Sequence, residues 1–151
     1  MEPHERQTLK NIEKYGCSVI HIMEEGDLPP FSYSVGITKT SQAPEAIVMG
    51  LKKNLAHSVI NEYNNRVRAG EKFESGKRYD GFIEGFEVQA QKVDRSFYDE
   101  YLGRNLWLYK GPNFEALQFI YPTTNGIWPW DARASAWFKS RQPILVARIP
   151  V

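Results

Sequence analysis

The side chains best placed to do chemistry in this 151-residue chain lie between Gln118 and Asp131, in the run QFIYPTTNGIWPWD. Tyr121, Trp128 and Trp130 offer large amphipathic surfaces, Gln118 and Asp131 bracket them with hydrogen-bonding groups, and Pro129 restricts Trp128 to extended geometry. Asn125-Gly126 is a tight-turn signal. Aromatic rings with so little freedom to lose suit the recognition of a partner or ligand. The alternative is that both indoles close an end or edge of the core, as large aromatics mostly do. Asp131 could serve as a general base or ligand anchor, but the preferred reading makes it the N-cap of a helix from Ala132 to Phe138.

A second set is the strand face Ser32, Ser34, Gly36 and Thr38, where small hydroxyl-bearing residues would let a phosphate or a flat ligand approach the backbone. Tight sheet packing or plain exposure would leave the same pattern. Cys17 and His21 share a strand face, yet four strand residues span roughly 13 Å, too far for a nucleophile and its base. Cys17 therefore reads as a small buried hydrophobe. His4, His21 and His57 have no spacing that brings their ring nitrogens together, so each is expected to stand alone, with no metal site. Lys72, Lys77, Arg78, Arg133, Lys139 and Arg141 lie near aromatics, a combination that can serve single-stranded nucleic acid. Glu71, Glu74, Asp80 and Asp131 interleave with them, so a solvated mixed-charge surface is expected instead.

The elements that must position these groups follow from periodicity. Glu5 to Tyr15 places Leu9, Ile12 and Tyr15 on one helical face ahead of a capping Gly16. Strands are expected at Cys17 to Met23, at Phe31 to Thr38 and at Glu45 to Leu51, the last apolar on both faces and so central. Lys52 to Ala69 carries Leu55, Val59, Tyr63 and Val67 on one stripe, a helix ended by Gly70. Glu71 to Gly81 reads as a charged loop, and Phe82 to Asp94 as one long half-buried strand. Ser96 and Asp99 resemble a capping box for a helix through Leu102. Leu106 to Tyr109 and Phe114 to Tyr121 could pair as a hairpin, with a last strand from Ile144 to Ile149. Strands dominate without regular alternation with helices, which predicts an α+β domain spanning residues 1–151, with a mainly antiparallel sheet, open or barrel-like, and two to four flanking helices.

Nineteen basic and 18 acidic residues leave a formal charge of +1, which supplies no general attraction for nucleic acid or an anionic membrane. With Cys17 as the only cysteine, no internal disulfide can form, a composition suited to a reducing compartment. The N-terminus lacks the basic start and apolar core of a secretion signal, and cytoplasmic localisation is the expectation.

The helix ending at Gly16, the strand FSYSVGI, the pair Pro44-Glu45 before an apolar strand ending in Gly50-Leu51, and Gln118 leading to YP and then WPW occur here in one order. In that order they resemble the bacterial family catalogued as domain of unknown function 4262. The resemblance covers nearly the whole chain. It implies a small intracellular bacterial protein and no established reaction, cofactor or catalytic residue. Family members often carry an acid directly after the YP-like pair, where this chain has Thr123. The segment from Phe31 to Arg68 is also faintly similar to the FMN-binding split barrel, as a fold-level analogy.

No catalytic signature, metal cluster or phosphate loop is present in the sequence. The expected function is a non-enzymatic domain that binds a protein partner or small ligand around Tyr121, Trp128, Trp130, Asp131 and Gln118, a toxin-neutralising immunity protein being one concrete version. The alternative is an enzyme of split-barrel type, with a flavin or nucleotide resting on the Ser32 and Ser34 face and the tryptophans closing over it.

Overall fold

The computed structural model describes residues 1–150. Helix α1, Pro3–Tyr15, opens with reciprocal bonds between Glu2 and Glu5 and ends at Gly16, whose φ of 89° lets its N–H reach the Ile12 carbonyl. Strands β1 (Ser18–Ile22), β2 (Phe31–Val35) and β3 (Glu45–Met49) follow, with a short helix α2 (Ile37–Ser41) between the last two. Helix α3, Lys53–Arg68, leads to β4 (Arg78–Ile83) and β5 (Phe86–Lys92). A 3-10 turn, Arg95–Phe97, then runs into α4 (Tyr98–Tyr101) and α5 (Gly103–Tyr109), before β6 (Ala116–Ile120) and α6 (Ala136–Arg141).

The six strands form one sheet in the order β1-β2-β3-β6-β5-β4. Two antiparallel meanders meet at its centre through the single parallel pair, β3 with β6, in register Glu45 to Ala116 and Ile47 to Gln118. All five residues of β3 and of β6 are buried, which is why both read as continuous apolar runs.

Alternation along these strands divides the core between the two sheet faces. On one face Ala46, Val48, Leu117, Phe119, Val88 and Ala90 pack under Val59, Ile60, Tyr63 and Val67 of α3. On the other, Tyr33, Val35, Ile47, Met49 and Ala116 meet Ile12 of α1, Tyr98 and Leu102 of the α4 region, Phe114 and Leu145. Among the described residues no helix is long and apolar enough to cross a membrane.

The α+β class and the mostly antiparallel sheet stand, but the sheet does not close into a barrel. β1 and β4 lie at opposite edges, and among the described residues the helices number six rather than two to four. Several elements also differ from the periodicity reading. Gly36, at φ 102°, stops β2 and turns the expected Thr38 end of the strand into α2. The expected long strand from Phe82 is two strands, because Gly85 at φ 83° makes a two-residue hairpin with Glu84, and Gly81 lies within an irregularity of β4. Leu106 to Tyr109 is helical, since Tyr109 and Asn105 are drawn to Glu45 and to the Ser34 carbonyl. Ile144 to Ile149 is no strand: Leu145 instead bonds the Asp94 N–H through its carbonyl and the Gln118 side chain through its N–H.

Candidate functional site

The aromatic segment folds on itself. Thr123 closes the Asn125-Gly126 turn, its N–H donating to the Ile127 carbonyl at 2.8 Å and its Oγ1 accepting from the Ile127 N–H at 3.0 Å. The chain then brings Trp128 and Trp130 face to face, centroids 5.4 Å apart and planes within 10°. The Arg78 guanidinium of β4 sits 4.2 Å from the Trp128 centroid. Both indoles are half-buried; one face of each meets the other ring, and Arg78 lies against Trp128.

Asp131 does not cap a helix over Ala132 to Phe138. It accepts from the Arg133 backbone N–H at 2.8 Å and from the Arg133 guanidinium at 3.1 and 2.8 Å, while Ser135 caps α6 by accepting from the Phe138 N–H. Those Arg133 bonds hold the Asp131 carboxyl down at about 2. Gln118 is fully buried and clasps the C-terminal segment: its Nε2 donates to the Pro143 carbonyl and its Oε1 accepts from the Leu145 N–H, both at 2.8 Å. Tyr121 donates to the Met49 carbonyl at 2.6 Å, and Gln142 pairs with both its backbone groups, at 3.0 and 2.9 Å.

Tyr121 nevertheless lines an open groove of about 480 Å³, whose walls include Leu55, Ile83, Phe86, Pro122 and Trp137. The groove lies at the carboxyl ends of β3 and β6, where the chain leaves the parallel pair as Gly50-Leu51 and as Tyr121-Pro122. Trp137 is 68% exposed and Leu55 39%. Arg141 braces this end by donating to the Gly50 carbonyl at 3.1 Å and pairing with Glu24 at 3.3 Å. The backbones approach so closely that a Cβ on Gly50 would lie 2.4 Å from the Arg141 carbonyl oxygen.

The Ser32 and Ser34 face is covered by α3 and leaves both hydroxyls committed. Ser34 Oγ donates to Glu45 Oε1 at 2.7 Å and accepts from the Ala46 N–H at 2.8 Å. Glu45, fully buried, also receives Tyr109 Oη at 2.5 Å and the N–H groups of Gly36, Ile37 and Thr38 at 3.1–3.2 Å. Burial raises its carboxyl above the ordinary range despite these donors. Ser32 Oγ lies 2.6 Å from His21 Nδ1, and His21 Nε2 lies 3.2 Å from His57 Nδ1. Burial, then His57 and Lys53, keep His21 below the ordinary imidazole value. Ser32 is 3% exposed, so its hydroxyl orients the ring and is not open to a substrate. Burial pushes the Cys17 thiol up to about 12, which leaves it protonated and inert.

Of the residues expected at the site, only Tyr121 lines the groove; Trp128 and Trp130 stack on each other, Asp131 pairs with Arg133, and Gln118, Ser32 and Ser34 are internal. The histidines do not all stand alone, because α3 crosses β1 and joins His57 to His21. Leu55 was read as part of the core stripe of α3 and is instead 39% exposed at its first turn, and Trp137 carried no signal that set it apart from a core aromatic. Glu45 had one legible signal, an acid opening an otherwise apolar strand.

A family model described as Domain of unknown function (DUF4262) matches residues 11–135. No curated protein and no solved structure matches the chain.

Proposed function

The chain belongs to the domain of unknown function 4262 family, and from that premise we propose that it is a non-enzymatic binding domain whose Tyr121–Trp137 groove takes up an apolar side chain of a protein partner. The exposed indole of Trp137 over an apolar groove at the ends of the parallel strands carries this reading. Exposed tryptophans beside such a depression are among the residues that dominate binding energies when a partner excludes water from them. Leu55 and Phe86 supply the apolar wall, while Arg141 and Glu24 form a polar rim. A secreted or injected toxin would be one such partner, met in a bacterial cytoplasm, where a lone thiol such as Cys17 stays reduced.

Selection of displayed peptides on the folded protein is expected to yield ligands with a bulky apolar residue. Trp137→Ala and Leu55→Ala should each weaken them by about tenfold or more, ~1.4 kcal/mol, with an unchanged far-UV spectrum. Failure to select any peptide, or affinities indifferent to both substitutions, would overturn the reading.

A further inference from the structure

Away from the groove, a second cleft of about 570 Å³ runs between α1, β1 and α3. Its α3 wall is a stripe of His57, Asn61, Asn64, Asn65 and Arg68, residues whose spacing keeps them on one helical face over about 16 Å. Lys14 lines the opposite wall from the last turn of α1, and no carboxylate lines the cleft. Among the described residues neither Lys14 nor Arg68 has an ion-pair partner. In a chain of nearly balanced charge, this cleft is locally cationic.

One polar atom here is unspent. Asn64, 3% exposed, donates through Nδ2 to the Tyr15 carbonyl at 3.0 Å, while its Oδ1 is buried without any partner. A buried acceptor left unpaired is destabilising. The atom is closed to solvent, so only a ligand group that draws the carboxamide toward the cleft would satisfy it. At the same end Tyr15 is half exposed beneath the Lys14 ammonium, which lies 5.2 Å from the ring centroid.

We propose that this cleft binds a small phosphorylated metabolite of the nucleotide class. The phosphate lies between Lys14 and Arg68, and a flat ring presents its donor–acceptor edge to the carboxamides of Asn61 and Asn65. Each carboxamide offers a donor and an acceptor side by side, the pattern that reads the edge of a planar heterocycle. The length of the stripe matches a ligand with an anionic end and a hydrogen-bonding end.

The test follows backbone amide shifts of the full chain during titration with adenosine monophosphate, adenosine and inorganic phosphate separately. The nucleotide is expected to move resonances at the end of α1 and along α3. Adenosine and phosphate alone should each bind at least about tenfold more weakly. Lys14→Gln and Asn61→Asp, both on exposed helix surface, should each weaken the nucleotide by a similar factor, whereas Trp137→Ala should leave its affinity unchanged and so separate this site from the groove. The proposal fails if millimolar nucleotide moves none of these amides, if either half of the ligand binds as tightly as the whole, or if both cleft variants bind as the parent does.

Discussion

Glu45 shows how one residue can organise a fold without touching a ligand. Its carboxylate gathers the Ser34 and Tyr109 hydroxyls and three N–H groups at the start of α2, tying together β2, β3, α2 and α5. Glu45→Ala would orphan these buried donors, and urea unfolding is expected to record a loss of roughly 3–5 kcal/mol. Because burial raises the folded-state carboxyl above its unfolded value, the folded protein holds the proton more tightly. Stability therefore declines as pH rises from the ordinary carboxylate value through the raised one, and Glu45→Gln should flatten that segment of the profile. His21 has the opposite sign. Its imidazole is depressed by burial, by His57 and by Lys53, so its contribution is present above the ordinary imidazole value and is lost as pH falls through the depressed one. In an NMR titration, His57→Ala should move the His21 midpoint upward; an unmoved midpoint would mean that the two rings do not sense each other.

At the scale of elements, the groove depends on α6 docking against the turn that leaves β3. Gly50 permits this contact through a φ of 78° and the absence of a side chain. Gly50→Ala should cost roughly 2–5 kcal/mol from positive-φ strain and overpacking. Thermal unfolding would check it, with Gly70→Ala, also at positive φ but with open space around it, expected to cost less. The elements legible in the sequence were those whose own period matched their burial: β3 is buried throughout and α3 buries Val59, Tyr63 and Val67 as its stripe predicts, although Leu55 at its start and Tyr15 at the end of α1 are exposed. The illegible ones were set by partners distant in the chain. α5 is a short apolar run whose state is decided by Glu45 and the Ser34 carbonyl, and β4 is a charged segment made into a strand by pairing with β5. The candidate site divides in the same way. Tyr121 could be anticipated from its aromatic surroundings, but Trp137 became a groove wall and His57 a partner of His21 only once α6 and α3 were docked.

Across the whole molecule, a single sheet separates the α3 core from the core under α1, α4 and α5, and both layers share the fully buried strands β3 and β6. Sharing strands couples the layers, because Ala46 and Val48 cannot leave one core while Ile47 and Met49 remain in the other. The two halves are therefore expected to unfold together. Ile60→Ala empties volume in the α3 layer and Leu102→Ala in the opposite one, both at positions with 0% exposure. Each should cost about 2–5 kcal/mol, and the double variant should lose their sum within about 0.5 kcal/mol, since no contact joins the two sites. Far-UV and near-UV signals followed through urea should trace one transition in all three variants. A near-UV change that precedes the far-UV change in only one single variant would show that its layer loosens independently. The groove, whose Leu51, Ile83, Tyr121 and Phe138 all pack with the α3 core, would then follow the stability of that layer alone.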